Sequence, residues 1–186
     1  MWSIEDGVLK SHGLLKEWGA DLATEKKYRD FVLTVDFRMP TISDSGINFR
    51  GLIPEMGNFG QAEQFNLRSR GGMGNLESFH FLPPNIQLKE KERPQVKYID
   101  PEVGVWHTVK LTVIVKNVTA EYDGEVILDT FEYPEGILSM EPEVIRLQKH
   151  VIAEIAGKMN DCPIEYRNLF IKEIKSSEWN VPSKGR

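Results

Sequence analysis

In Asp44-Ser45-Gly46-Ile47-Asn48-Phe49-Arg50-Gly51, apolar and polar residues alternate. On a β-strand that alternation sends Ile47 and Phe49 to one face and Asn48 and Arg50 to the other. The pattern recurs at Gln64-Phe65-Asn66-Leu67-Arg68, where Phe65 and Leu67 point inward and Gln64, Asn66 and Arg68 point away. Two strands of this kind present amides and guanidinium groups from one sheet face. Such groups suit a hydroxyl-rich ligand, because an amide both donates and accepts while a guanidinium donates through a planar fork. The competing reading is an ordinary solvated sheet face, the usual fate of polar residues on half-buried strands.

The same period runs along the chain. Phe31, Leu33, Val35 and Phe37 share one side of a strand that Pro40 halts. Val109, Leu111, Val113 and Val115 alternate with Lys110, Thr112, Ile114 and Lys116 in a second strand. Asp123-Gly124 between two extended runs predicts a tight hairpin. The stretch from Ile164 to Ile174 is rich in β-branched and aromatic residues and predicts a long strand. Val151 to Met159 is expected to form a short helix or loop excursion ended by Asn160-Asp161-Cys162-Pro163. Gly71-Gly72-Met73-Gly74-Asn75 reads as a turn, without the strand-to-helix context of a phosphate loop. Glu90 to Pro101 reads as a long surface loop. With helical periodicity scarce, the expected fold is an all-β antiparallel sandwich. A single domain is expected over residues 1–175, with 176–186 as a C-terminal tail.

Charge and cysteine content exclude several classes. With 23 Lys and Arg against 28 Asp and Glu, net charge −5, a nucleic-acid or anionic-membrane partner is not expected. The single cysteine, Cys162, forms no internal disulfide, and no Cys/His spacing matches a structural zinc site. No metal or other cofactor is expected; a loop-bound calcium has no spaced carboxylate motif behind it. The first residues show no secretory leader, no run reaches membrane-spanning length, and a soluble protein is expected. No pattern demands pairing between copies of the chain.

Read in order, Trp2-Ser3-Ile4-Glu5-Asp6-Gly7-Val8-Leu9, Tyr28-Arg29-Asp30-Phe31, Ser45-Gly46-Ile47-Asn48-Phe49-Arg50-Gly51, Trp106-His107, Asp123-Gly124, Leu147-Gln148-Lys149-His150 and Tyr166-Arg167-Asn168-Leu169 form a progression. It resembles the 3-keto-disaccharide hydrolase domain family. The resemblance implies a concanavalin-like jelly roll of two antiparallel sheets and a carbohydrate ligand or substrate. It also implies cleavage of glycosides already oxidised to a ketone at the third carbon. That ketone acidifies the proton on the second carbon, so a base and an enolate stabiliser suffice for elimination. Paired carboxylates at a set separation are not needed.

Carried over residue by residue, the resemblance makes Arg50 the group that binds the keto oxygen, with His150 or His80 moving the proton, since imidazole titrates near neutrality. Relatives usually show Glu-x-Gln where this chain has Gln64-Phe65-Asn66, and an amide cannot serve as a base. Glu77, on the following segment, is the candidate replacement. The expected catalytic set is therefore Arg50, His150, Glu77 and His80, and the expected sugar-binding set Asn48, Gln64, Asn66, Arg68 and Gln148. A second departure is the insertion from Val151 to Asp161, placed to cap or block the site. Trp18, Phe79, Tyr98 and Trp106 are candidate ring platforms, although most aromatics of a sandwich fill its core. Arg167 and Asn168 read as ties between sheets, and His107 as structural. A noncatalytic sugar-binding module and a protein-interaction sandwich are the alternatives to an enzyme.

Overall fold

The structure is a computed structural model that describes residues 2–12, 21–51, 62–80, 88–155 and 158–175, the side chains of His80, 151–155 and 158–160 excepted. The reading of the tail 176–186 and of Trp18 falls outside them.

Strands β1 (Trp2–Glu5), β2 (Val8–Ser11), β4 (Phe31–Arg38), β7 (Trp106–Ile114), β8 (Asn117–Tyr122), β9 (Glu125–Glu132) and β13 (Glu165–Glu173) build one sheet, in the order β1-β2-β13-β4-β7-β8-β9. The other sheet, β3-β10-β5-β6, contains β3 (Leu22–Tyr28), β5 (Asp44–Phe49), β6 (Glu63–Arg68) and β10 (Glu143–Leu147). Every pairing is antiparallel. Among the described residues there is no α-helix, and so no helix long and apolar enough to cross a membrane. The molecule is a concanavalin-like jelly-roll sandwich.

Alternation decides which side of each strand is apolar. Phe31, Leu33, Val35 and Phe37 of β4 and Val109, Leu111 and Val113 of β7 are fully buried, and they face Ile47, Phe49, Phe65 and Leu67 of the smaller sheet in one shared core. Each such side chain contributes roughly 1.5–3 kcal/mol on leaving water, which makes a one-residue slip of register prohibitive. The β8–β9 hairpin turns through Asp123 and Gly124, both at positive φ, as the Asp-Gly pair requires. His107 Nδ1 lies 2.8 Å from Asp123 Oδ2 beside that turn, a structural contact. Val115 does not continue the alternation of β7: it has φ 55° and turns the chain into β8.

Two sequence expectations differ from the structure. Val151 to Met159 is not a helix or irregular excursion: β11 (Val151–Ile155) and β12 (Lys158–Asp161) pair antiparallel in a separate two-stranded ribbon. The β-branched Val151, Ile152 and Ile155 outweigh the helix-favouring Ala, Glu, Lys and Met among them. Arg167 and Asn168 do not join the sheets. Both donate to Asp36 Oδ2 on the neighbouring strand of the same sheet, and Arg167 stacks 4.1 Å over Trp106. The surface loop expected over Glu90 to Pro101 is present and opens with a 3₁₀ turn, Glu90–Glu92.

Candidate functional site

The core side of the four-stranded sheet is apolar apart from Ser45 and Glu63, and its other side carries the polar residues that alternation assigns to it. Register sets them in rows. Arg146 of β10 pairs with Asn48 of β5, which pairs with Gln64 of β6. One row along, the Gln148 N–H donates to the Gly46 carbonyl (2.9 Å), and Gly46 pairs with Asn66. The third row pairs Asp44 with Arg68. Beyond β10, buried Leu147 and Lys149 alternate with Gln148 and His150, and Lys149 is held inside by Asp161 and the Cys162 carbonyl. With strands about 4.8 Å apart and same-face residues about 6.8 Å apart, the rows span about 10 Å by 14 Å, the footprint of one or two sugar rings.

Side-chain hydrogen bonds knit the rows together. Gln64 Nε2 donates to Asn66 Oδ1 (2.6 Å), and Asn66 Nδ2 donates to Glu77 Oε2 (2.5 Å). Arg68 Nη2 lies 3.7 Å from that same carboxylate oxygen while its Nε donates to Asp44 (3.1 Å). This chain fixes which end of each amide is donor and which acceptor. Glu77 comes from a 3₁₀ turn, Glu77–His80, that follows β6 and rests on it through a bridge between Leu76 and Phe65. Asn66 is fully buried and Asn48 is 9% exposed, while Gln64, Arg68 and Gln148 are half-buried, so the two asparagines are not part of a solvated face. Gln148 Oε1 is also buried and meets no donor among the described residues.

At the other end, Asp21 accepts from Asn48 Nδ2 (3.4 Å) and from the Lys149 N–H (3.2 Å). Desolvation pushes the Asp21 carboxyl above its usual range, opposed by the Lys149 N–H and by the charges of Arg146 and His150. Asp21 and Arg146 are site neighbours that strand patterning missed. Asp21 lies one residue before β3, outside any alternation, and Arg146 belongs to a five-residue strand too short to show a pattern.

Arg50 does not join the array. Its φ of 48° breaks the alternation that carries Asn48 outward, and its side chain is wholly buried. Nε donates to the Ser139 carbonyl (2.7 Å), Nη1 to the Arg29 carbonyl (2.9 Å), and Nη1 lies 3.7 Å from Asp30 Oδ1. The guanidinium ties three chain segments together and reaches no surface. The structure thus brings together Asn48, Gln64, Asn66, Arg68, Glu77 and Gln148, sets His150 close enough to Asp21 for its charge to act on that carboxyl, and takes Arg50 away. His80 closes the 3₁₀ turn, with its side chain outside the described residues. Of the candidate ring platforms, Phe79 is buried, Tyr98 is exposed far from these rows in sequence, and Trp106 lies on the larger sheet. Among the described residues no three His, Cys, Asp or Glu side chains are grouped so as to hold a metal ion.

The smaller sheet of the sandwich thus carries a cluster of hydrogen-bonded amides on its polar side. The profile of the 3-keto-alpha-glucoside-1,2-lyase-like domain matches residues 1–172. The chain belongs to that family. No curated protein matches this family member. Among solved structures, it is similar to a protein assigned as a glycosyl hydrolase from Parabacteroides distasonis, with TM-score 0.59 and 15% identity over 94% of this chain and 83% of the other. A carbohydrate-binding module from Bacillus subtilis, CBM66, superposes with TM-score 0.56 and 9% identity over 93% and 91%. The alginate lyase Aly36B gives TM-score 0.56 and 10% identity over 94% and 84%. At these identities the solved structures share the family's fold. The family match supports a carbohydrate-related role.

Proposed function

We propose that this protein binds a saccharide in the recess of the four-stranded sheet and cleaves a 3-keto glycoside there by elimination. The observation that carries the reading is the ordered amide floor of Asn48, Gln64 and Asn66, with the carboxylate of Glu77 and the guanidinium of Arg68 at one end of it. Amides with fixed donors and acceptors match sugar hydroxyls, and the unmet Gln148 Oε1 offers an acceptor to one more. The family description and the fold shared with a carbohydrate-binding module and an alginate lyase agree with this choice of ligand.

In the proposed reaction Glu77 removes the proton from the second carbon of the keto sugar. The electron pair delocalises into the ketone, and the resulting enolate lies against Arg68, whose positive charge lowers its energy. Collapse of the enolate breaks the bond from the first carbon to the glycosidic oxygen, and His150 supplies a proton to the departing oxygen. Water adding across the new double bond completes a net hydrolysis. Arg68 takes the part that sequence reasoning gave to Arg50, because every Arg50 nitrogen is already engaged in the interior.

The test is turnover of a 3-keto disaccharide followed by ultraviolet absorbance of the unsaturated ketone, with Glu77→Gln as control. Loss of 10²- to 10⁴-fold in kcat with binding retained is expected of a general base. Saturable binding of sugar with no turnover by the unsubstituted protein would favour a noncatalytic module. That second reading is favoured by the amide at position 64, where the family resemblance implies a carboxylate, which leaves amides to dominate this face.

A further inference from the structure

Glu63, the residue before Gln64, points to the core side of β6 and is fully buried. A buried carboxylate costs several kcal/mol unless its oxygens are satisfied, and among the described residues no Lys or Arg pairs with it. What surrounds it is a set of donors. Oε1 accepts the N–H of Gln64 (2.8 Å) and of Ser78 (3.1 Å), and Oε2 accepts the hydroxyls of Tyr133 (2.6 Å) and Ser78. Two of these bonds come from Ser78, the neighbour of Glu77 in the 3₁₀ turn. Phe79, next in line, packs against Phe131 and Tyr133 with ring centroids 5.0 and 5.4 Å away. Three consecutive residues thus divide their work: Glu77 reaches the amide floor, Ser78 grips Glu63, and Phe79 enters the aromatic cluster.

We infer that Glu63 is a positioning residue, a buried clamp that holds the 3₁₀ turn so that the Glu77 carboxylate stays beside Asn66 and Arg68 at the ligand. The inference rests on the role proposed for Glu77. It explains why an acid is kept in an apolar interior. An apolar residue would fill the space, but it would leave the Ser78 and Gln64 N–H groups and the Tyr133 hydroxyl without acceptors, and the turn would keep only the Leu76–Phe65 bridge, the Asn66–Glu77 bond and the packing of Phe79 to hold it against β6.

The experiment compares Glu63→Leu, which keeps the volume and removes both acceptor oxygens, with the milder Ser78→Ala, each alone and combined with Glu77→Gln. Crystal structures are expected to show Glu77 Oε2 displaced from Asn66 by more than about 1 Å, a misplacement that can cost up to 10²-fold in rate. Turnover of a 3-keto glycoside is expected to fall about tenfold or more in kcat with KM within about twofold. In the Glu77→Gln background neither change should lower kcat further. Should Glu63→Leu fail to fold, Ser78→Ala decides alone. Glu77 unmoved in the crystal, or losses that multiply with those of Glu77→Gln, would overturn the inference. If Glu77→Gln leaves turnover intact, the proposed reaction fails, while the crystallographic position of Glu77 still decides whether Glu63 places it.

Discussion

The side chain of Gln64 lies across Gly46, so close that a Cβ on residue 46 would stand 2.5 Å from Gln64 Cδ and Cγ. The missing side chain lets Gln64 fold toward Asn66 and complete the hydrogen-bond chain that ends at Glu77. Gly46→Ala should leave the sandwich folded and swing Gln64 away. Saccharide affinity should drop about tenfold, or about 1.4 kcal/mol, as measured by titration calorimetry.

Arg50 is expected to act on stability and not on chemistry. Arg50→Ala leaves the buried Asp30 to Arg29 and the Val115 N–H, and leaves two backbone carbonyls without donors. Each buried carbonyl left unsatisfied costs about 1–3 kcal/mol. Chemical denaturation should therefore show a much lower midpoint. Folded variant at low temperature should keep its sugar affinity, and a selective loss of binding with unchanged stability would contradict the placement of this side chain.

Glu63 gives stability a pH dependence whose sign follows from its burial. Desolvation raises its pKa in the folded protein, against the pull of Ser78, Tyr133 and the Gln64 N–H. Between the ordinary value of 4.5 and that raised value the folded state holds more protons than the unfolded chain, so stability is lost as pH rises through the window. Glu63→Gln does not titrate. Its stability relative to the unsubstituted protein should therefore improve as pH climbs from about 4.5, by up to about 1.4 kcal/mol per pH unit. Urea titrations at a series of pH values would measure it.

The β8–β9 turn makes a purely local prediction. Gly124 has φ 83°, a conformation an L side chain resists, and nothing lies within 4 Å of where its Cβ would go. Gly124→Ala should thus cost about 1–2 kcal/mol through backbone strain alone, read as a lower melting temperature with sugar binding unchanged.

Much of this architecture was legible in the sequence because it follows from a period of two. Phe31 to Phe37, Val109 to Val113, Ile47 with Phe49 and Phe65 with Leu67 all lie on the core side where alternation sends them. The amides between them face the recess. Alternation failed where the backbone leaves the β region: Arg50, two residues past Asn48, adopts a left-handed conformation and turns inward. No side-chain pattern encodes that. Glu63 was visible as a residue of inward parity, but the donors that justify its burial lie 15 and 70 residues away. The Val151–Asp161 insertion shows the limit of composition, since strands of five and four residues give too few repeats to separate two periods.

The turn that carries Glu77 also fixes its own length. Because Glu77, Ser78 and Phe79 are claimed in succession by the floor, the clamp and the aromatic cluster, removing one residue would hand each of them its neighbour's job: a phenyl ring toward the polar floor, or a carboxylate among the aromatics. The spacing from Glu63 to Ser78 is therefore the interval to hold constant when this face is grafted or redesigned.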